Sequence, residues 1–274
     1  RLLDFTWAWA GPYAPLLLGF MGAEIIKVES VKRPDHSRMR SLTGGPTPGI
    51  DRSVIFNDLN MNKQSVRLDL SRPEAADIVK RLAALSDVVT TNYRPGVMDK
   101  LGIGYEILRE ANPDIIVLAS SAQGFQGPAK RYVGYAPTFS ALGGMANITG
   151  YPEGLPSPMT GSIDLRSATT SCFAVISALY HKKKTGKGQF IDLSSTETIA
   201  VLTGEAFMDY QMNGRVQERA GNRDPQMAPH GVYRCKGEDS WVSIAVGSED
   251  EWGALKSAMG NPAWAEADKF SAMG

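Results

Sequence analysis

The sequence predicts an α/β protein whose sheet is mostly parallel and covered by helices on both faces. Two observations carry this prediction: short apolar runs bounded by turn residues recur along the chain, and helical patterns lie between them. Such alternation is typical of parallel strands joined by crossover helices. The length of 274 residues is enough for one large domain and part of a second.

The strand candidates lie at residues 1–5, 24–29, 65–70, 87–92, 115–120 and 189–193. The helical patterns lie at residues 12–21, 72–86, 105–111, 165–183 and 196–213. The first of these opens with Pro12, which suits a first helical turn, and the second repeats apolar side chains at helical spacing. Ser194 or Ser195 is expected to cap the last one. Residues 31–58 and 123–163 are expected to be long loops.

The chain is expected to divide into a large and a small domain. Residues 1–214 would form the large domain, and the polar, arginine-rich residues 215–230 would form a linker. A new β pattern at 232–246 and a helical pattern at 249–259 predict the start of a smaller α+β domain over 231–274. Because the chain stops just after a helical pattern, we expect the C-terminal remainder of that domain to be missing.

Composition narrows the function classes. Lysine plus arginine and aspartate plus glutamate both number 29, so the formal net charge is zero. This balance argues against nucleic acid or an anionic membrane surface as a partner. The most apolar stretch, residues 8–23, is interrupted by prolines and glycines and is too short to span a membrane. Two cysteines without metal-ligand spacing predict a cytoplasmic location and no metal site.

Three common site motifs are absent from the sequence. No Gly-x-Gly-x-x-Gly follows a strand candidate, so a dinucleotide fingerprint is missing. The run KTGKGQ at 184–189 lacks the upstream glycine of a phosphate loop and predicts a helix end and a turn. No Gly-x-Ser-x-Gly occurs, which argues against an ordinary serine hydrolase.

Asp164 is the strongest candidate for chemistry. It lies where a long loop meets the long helix, so it could simply cap the helix by accepting hydrogen bonds from the first N–H groups. The same position would also stabilise an ionised carboxylate, which could act as a nucleophile at neutral pH.

Several cations and one aromatic residue follow or precede strand candidates. Lys63 falls in a turn just before a strand, and Tyr93 and Lys100 follow another. In open α/β sheets ligands bind beyond the carboxyl ends of strands, where an aromatic ring can stack a base and cations can meet phosphate. A basic loop at 31–40 contains Arg38. Solvated turns and loops remain the alternative for each of these groups.

The ordered set of motifs resembles the family III CoA-transferases, which include formyl-CoA and carnitine CoA-transferases and α-methylacyl-CoA racemases. The motifs are LDFT at 3–6, AGP at 10–12, GAEIIKVE at 22–29, NMNKQSVRLD at 60–69, DVVTTNYRPGVMDKLG at 87–102 and KTGKGQ at 184–189. The resemblance implies a Rossmann-like large domain, a smaller domain and an interlocked dimer. It also implies coenzyme A or acyl-CoA as a substrate, with no tightly bound cofactor.

The resemblance assigns roles to individual residues. Asp164 matches the nucleophilic aspartate of the family. The residues that match CoA contacts are Arg38, Lys63, Asn92, Tyr93 and Lys100. Ala10, beside Gly11, falls where relatives line the reacting centre. Trp7 and Trp9 suggest a bulky or apolar acyl pocket, although packing of the first loop would also explain them.

One departure from the family pattern bears on the reaction. Racemase relatives carry a histidine as partner acid/base where this sequence has Tyr135. A tyrosine is a poor base at neutral pH, since its ordinary pKa is about 10. This favours an acyl-CoA:carboxylate CoA-transferase over a racemase or epimerase.

The resemblance implies that CoA moves between acids through an aspartyl anhydride and an aspartyl-CoA thioester. The tryptophans suggest succinyl-CoA as donor and a bulky or aromatic carboxylic acid as acceptor. A non-catalytic CoA-binding subunit is a further alternative, because some family members combine two paralogous subunits. The expected assembly is therefore a homodimer or a heteromer with such a paralogue.

Overall fold

The computed structural model describes residues 1–30, 32–39 and 49–270. Parts of the predicted basic loop and the last residues of the predicted small domain, 31, 40–48 and 271–274, lie outside the described residues. The chain divides into two compact units. The first contains residues 1–146 and 158–208, and the second contains residues 147–157 and 209–274.

A six-stranded parallel sheet forms the first unit. The strands are β1 (Leu2–Asp4), β2 (Ile25–Glu29), β3 (Lys63–Arg67), β4 (Val88–Thr91), β5 (Ile116–Ser121) and β6 (Phe190–Ser194). Their order is β3-β2-β1-β4-β5-β6, and every neighbouring pair is parallel. This is the order of a Rossmann-like sheet, and the predicted fold class is confirmed.

Helices cover both faces of that sheet. Along residues 10–213 the helices are α1 (Ala10–Phe20), α2 (Val54–Leu59), α3 (Pro73–Ala84), α4 (Val97–Lys100), α5 (Tyr105–Ala111), α6 (Ala136–Leu142), α7 (Met145–Ile148), α8 (Thr160–Thr185), α9 (Ser195–Leu202) and α10 (Gly204–Asn213). Because successive residues of a strand point to opposite faces, Leu2 packs with α1 and α8 while Leu3 packs with α3 and α5. Both faces are buried, which explains the continuously apolar strands.

The second unit contains a two-stranded antiparallel sheet. Its strands are β7 (His230–Arg234) and β8 (Trp241–Ala245), and α11 (Glu249–Ala258) follows them. The side chain of Ser248 accepts a hydrogen bond from the N–H of Glu251 and caps α11. Two short 3₁₀ turns, Ala263–Glu266 and Asp268–Phe270, end the described part of the unit.

Several helix predictions need correction. The segments predicted as long loops contain α2, α6, α7 and a 3₁₀ turn at His36–Met39. These elements are four to seven residues long, too short for a periodic pattern to stand out. The predicted helix 196–213 is two helices, since Thr203 ends α9 and its hydroxyl donates to the carbonyl of Gly143. Ser194 caps α9 by accepting from the N–H of Glu197, as predicted.

The long helix α8 begins five residues earlier than predicted, at Thr160. Met159 is its N-terminal cap, with a left-handed backbone at φ 45° and no side-chain capping bond. The prediction that Asp164 caps the helix is therefore wrong, because this residue lies within the second turn of α8.

The sheet order places the site. Strands β1 and β4 are neighbours from which the chain winds in opposite directions, so a crevice opens beyond their carboxyl ends. Helices α1 and α8 each return the chain from the carboxyl end of one strand to the start of the next. Their N-terminal ends therefore lie at the carboxyl edge of the sheet.

Candidate active site

Asn92 joins the loop after β1 to the end of β4. Its Nδ2 donates to the carbonyl of Trp7 at 2.8 Å, and its Oδ1 accepts from the N–H of Trp7 at 3.0 Å. The side-chain amide thus pairs with both backbone groups of Trp7, as a neighbouring strand would, and holds Trp7 at the crevice. A contact between Asn92 and CoA stays a prediction, while its role in holding this loop is visible in the structure.

Gly11 allows α1 to approach Asn92 closely. A Cβ atom on Gly11 would lie 2.7 Å from Nδ2 of Asn92 and 2.7 Å from Cβ of Thr6. Only glycine fits such an approach without displacing the loop. Gly11 is buried, and Ala10, beside it at the start of α1, is partly exposed.

Lys63 lies beneath α1 and not in an exposed turn. Its Nζ donates to Oδ2 of Asp4 at 2.9 Å, to the carbonyl of Pro12 at 2.8 Å and to Oδ1 of Asn60 at 3.0 Å. The side chain is 2% exposed. Since an ammonium group has three N–H donors and all three are used, none remains for a phosphate. Burial of the side chain under α1 argues against a contact between its ammonium group and CoA, and that contact stays a prediction.

Asp4 and Lys63 form a buried ion pair in the floor of the site. Burial raises the pKa of Asp4, but the nearby ammonium groups of Lys63 and Lys27 outweigh it, so the pKa lies below its usual value. Burial lowers the pKa of Lys63, and the Asp4 carboxylate only partly offsets this. Breaking either side of such a pair leaves a buried charge without its partner.

Arg38 is held by two carboxylates and an aromatic ring. Its Nε donates to Oε1 of Glu29 at 2.8 Å, and its Nη1 donates to Oδ1 of Asp51 at 2.7 Å. The guanidinium carbon lies 3.5 Å from the ring centroid of Phe56. The side chain of Asp51 is 84% exposed, so a phosphate could replace it without breaking a buried contact. A contact between Arg38 and CoA phosphate stays a prediction.

Four rings form a row across the crevice, which we call the aromatic row: Tyr93, Trp7, His36 and Tyr135. The ring centroids of Trp7 and Tyr93 lie 6.0 Å apart, those of Trp7 and His36 5.7 Å, and those of His36 and Tyr135 6.2 Å. All three pairs meet edge to face, a favourable arrangement of ring quadrupoles. Sequence reasoning gave His36 no role, since only the 3₁₀ turn after β2 brings it beside Trp7.

Tyr93 has a strongly perturbed phenol. Burial raises its pKa to about 12, and the carboxylates of Asp4, Asp35 and Glu29 add to the effect. Between pH 10 and 12 the unfolded chain would lose the phenolic proton while the folded protein keeps it, so stability falls as pH rises.

The expected loss over that pH window is about 2 kcal/mol for this one group. Urea unfolding of the wild type and of Tyr93→Phe at pH 9 and pH 11 measures it. The variant should lose less stability than the wild type between the two values. Equal losses would show that the phenol ionises normally in the folded protein.

Asp164 lies at the N-terminal end of the row of α8 side chains that pack into the core. Ala168, Cys172 and Val175 follow it at helical spacing and pack against the sheet and α1. Asp164 itself is partly exposed. It therefore continues a core-facing stripe beyond the carboxyl edge of the sheet, where a substrate can reach it.

Trp9 contacts the first turn of α8, and the residue after Tyr135 packs against the same helix. A Cβ atom on Gly161, three residues before Asp164 and on the same helix face, would lie 3.2 Å from Cζ3 of Trp9. Ile163 packs in one buried cluster with Ala136, the residue after Tyr135. Trp9 thus lies one turn from Asp164 along α8.

Two helix N-termini meet at this turn through Trp9 and Gly161. The first N–H groups of α1 and α8 have no acceptor within their own helices, and each helix end carries a partial positive charge. Both features favour a carboxylate or a developing oxyanion at this edge. Lys100, by contrast, is exposed at the end of α4, on the helical layer that covers the opposite face from α8.

Within residues 1–30, 32–39 and 49–270, no group of three or more His, Cys, Asp or Glu side chains is arranged to hold a metal ion. Among these same residues, no helix has the length and apolarity needed to cross a bilayer.

Comparison with known proteins identifies the family. A sequence model of CoA-transferase family III matches residues 1–274. The chain belongs to this family. It is 34% identical over 273 residues to a Chloroflexus aurantiacus protein, succinyl-CoA–L-malate CoA-transferase beta subunit, with 98% of this chain and 66% of that protein covered.

Other family III members show similar relations. An acetyl-CoA:oxalate CoA-transferase from Acetobacter aceti is 34% identical, covering 98% of this chain and 68% of its own. The crystal structure of a CaiB/BaiF family protein from Brucella suis superposes with a TM-score of 0.88 at 30% identity, covering 98% of this chain and 71% of that one. The chain thus spans about two thirds of the length of the curated relatives it matches.

Proposed function

We propose that the protein is an acyl-CoA:carboxylate CoA-transferase whose nucleophile is the carboxylate of Asp164. The observation that carries the proposal is the position of this residue on α8. Asp164 extends the core-facing side of α8 beyond the carboxyl edge of the sheet, near Trp9 and the N-termini of two helices. Membership of family III supports the reaction class.

The reaction would proceed through covalent intermediates on Asp164. A carboxylate oxygen attacks the thioester carbonyl of the donor, the C–S bond breaks, and an anhydride forms as CoA thiolate leaves. The thiolate then attacks the aspartyl carbonyl, which releases the donor acid and leaves an aspartyl-CoA thioester. The acceptor carboxylate repeats these steps in reverse and regenerates the free aspartate, so no net proton or hydride is exchanged.

Backbone N–H groups at the start of α1 or α8 are proposed to stabilise the oxyanion of each step. The crevice must also exclude water, because water would hydrolyse the anhydride. The aromatic row and Trp9 supply apolar surface at this edge for that purpose.

For the CoA moiety, the proposed contacts are Arg38, Asn92, Tyr93 and Lys100. The exposed Lys100 and the exchangeable Arg38–Asp51 pair are positioned to meet phosphate, and the Tyr93 ring could stack on a base. Burial of Lys63 argues against adding its ammonium group to this set.

Succinyl-CoA is the proposed donor, since several relatives are named for it. The names of those relatives give short dicarboxylic acids as the second substrate. Trp7, Trp9 and Tyr135 favour an acceptor with a bulky or aromatic body here, because flat rings at the crevice offer apolar contact.

A racemase is the second candidate, and one observation favours it. Tyr135 occupies the position where racemase relatives carry their histidine, and the centroid of the His36 ring lies 6.2 Å from that of the Tyr135 ring. His36 could therefore supply an acid/base that Tyr135 cannot. The transferase remains the better supported function because it needs only the single carboxylate.

The proposed assembly is a homodimer, interlocked as in the family, or a heteromer with a paralogous subunit. Phe173, Ile176 and Tyr180 leave an exposed apolar stripe along the outer face of α8, which suits a subunit interface. Two Chloroflexus aurantiacus relatives are named as alpha and beta subunits of one transferase. A cytoplasmic location is proposed as well, in keeping with cysteines 172 and 235, both free thiols.

The test incubates the full-length protein with succinyl-CoA and a panel of acids in deuterium oxide. The panel contains malate, mesaconate, glutarate, benzoate and benzylsuccinate, and mass spectrometry measures each new CoA thioester. A transferase forms the acceptor thioester without deuterium at the α-carbon. A parallel incubation supplies a 2-methylacyl-CoA in deuterium oxide, and deuterium uptake at its α-carbon, with no thioester exchange in the first incubation, would instead identify the racemase. If neither signal is seen, the CoA-binding subunit is the remaining alternative.

A further inference from the structure

We propose that Asp35, together with Lys27, is a positioning residue for the reaction: it sets the backbone of the loop between β1 and α1 and so aims Trp9 and the first N–H groups of α1. This inference rests on the proposed transferase function. Neither residue is part of a catalytic motif recognised in the sequence, and both are buried.

Asp35 joins the loop to the 3₁₀ turn after β2. Its Oδ1 accepts from the N–H of Ala8 at 3.0 Å, from the N–H of Ser37 at 2.9 Å and from the hydroxyl of Ser37 at 2.8 Å. The residue is 2% exposed. One carboxylate oxygen thus fixes the loop that carries Trp7 and the turn that carries His36.

Lys27 holds the same loop from the sheet side. Its Nζ donates to the carbonyl of Thr6 at 2.6 Å and lies 3.5 Å from Oδ2 of Asp35. Both side chains of this ion pair are at most 4% exposed. The peptide units on either side of Trp7 are therefore held by opposite members of one buried pair.

The loop needs this support because its backbone is strained. Ala8 has φ 70°, in the left-handed region that costs a non-glycine residue about 1 kcal/mol or more. Such a conformation persists only where surrounding contacts impose it. The bond from the Ala8 N–H to Asp35 is the contact at the strained residue itself, and α1 begins two residues later.

The position of the strain points to function. Ala8 reverses the chain so that Trp9 comes to lie against Gly161, one turn from Asp164. A shift of about 1 Å in groups that orient a reaction can cost about 100-fold in rate. Releasing Ala8 should therefore impair the reaction step more than the binding of CoA, since among the proposed CoA contacts Asp35 supports only the turn that carries Arg38.

The first test measures kcat and KM for succinyl-CoA with the best acceptor of the panel. Asp35→Ala should lower kcat about 100-fold, and KM should rise by a smaller factor than kcat falls. Asp35→Asn keeps an oxygen that can accept from the N–H of Ala8 but loses the charge that faces Lys27. Its kcat should therefore lie between those of the wild type and Asp35→Ala. Asp58→Asn, which removes an exposed carboxylate on α2, is the control and should match the wild type.

Rescue separates positioning from general damage. Glycine adopts the left-handed conformation without penalty, so Ala8→Gly added to Asp35→Ala should restore kcat at least about tenfold. If Asp35 only stabilised the fold, Ala8→Gly could raise the melting temperature of Asp35→Ala but would not restore its kcat. Absence of rescue, or a kcat of Asp35→Ala within twofold of the wild type, overturns the proposal.

Hydrogen exchange keeps the test independent of the reaction. In Asp35→Ala the peptide covering residues 6–11 should exchange at least about tenfold faster than in the wild type, while peptides from β5 and α3 stay unchanged. If the wild type shows no transfer with any acid, the proposed function fails, yet exchange still reports whether Asp35 holds the loop. Unchanged exchange at residues 6–11 would refute the holding role directly.

Discussion

Asp164→Asn is expected to lower kcat for CoA transfer by at least about 10⁴-fold, because the amide cannot form the anhydride with the donor acyl group. The side chain is partly exposed and nearly isosteric with the amide, so the fold should be retained. The measurement is steady-state formation of the acceptor thioester from succinyl-CoA, followed by mass spectrometry, with circular dichroism to verify the fold.

The matched control for this prediction is Asp58→Asn, which makes the same chemical change at an exposed position of α2. It should leave kcat and KM at the wild-type values. CoA binding by Asp164→Asn should also persist, since the proposed CoA contacts are other residues. Retention of more than about 1% of the wild-type kcat by Asp164→Asn would contradict a covalent role for this carboxylate.

Asp4→Asn is expected to lower the free energy of unfolding by about 3 to 5 kcal/mol, because it leaves the buried ammonium of Lys63 without its partner. Asp4 also accepts hydrogen bonds from the N–H and hydroxyl of Thr6, which the amide only partly replaces. Urea unfolding at pH 7, followed by tryptophan fluorescence, measures the change.

Two further variants isolate the ion pair. Asp77→Asn removes one member of an exposed pair with Lys80 and should cost no more than about 1 kcal/mol. The double variant Asp4→Asn with Lys63→Met removes both buried charges and should regain more than half of the loss. A cost for Asp4→Asn below about 1 kcal/mol, or no recovery in the double variant, would show that the pair does not support this fold.

The pH dependence of Asp4 has a definite sign. Its pKa is lowered in the folded protein, so the stability it contributes is fully present above the unfolded value of about 3.9 and is lost as pH falls below it. Acid unfolding of the wild type should therefore begin in that range, and Asp4→Asn should show a weaker dependence there.

The sheet could be predicted because its strands are short apolar runs between turn residues. The parallel strands at Val88–Thr91 and Ile116–Ser121 are buried on both faces, so their composition alone distinguishes them. Shorter elements escaped prediction. Helix α6 buries only Ala136, Phe139 and Ser140, and three residues do not establish a period.

Some residues of the candidate site could also be predicted from the sequence, and others could not. Asp164 was predicted because it lies where a long loop meets the long helix and matches the nucleophilic aspartate of the family, although its helix begins earlier than the local pattern indicates. The burial of Lys63 was not predicted, because a lysine at the start of a strand is usually solvated. Only the folded structure shows that its ammonium group donates to Asp4 beneath α1. Asp35 and His36 were missed because their partners, Ala8 and Trp7, are nearly thirty residues away in sequence.

The central claim is that Asp164 carries the acyl group during CoA transfer. The most direct test incubates the full-length protein with succinyl-CoA, quenches with hydroxylamine and maps the peptides by mass spectrometry. A hydroxamate is expected on the carboxyl group of Asp164, and only when succinyl-CoA is present. An unmodified Asp164 in protein that is turning over, or a hydroxamate on another carboxylate, would contradict it.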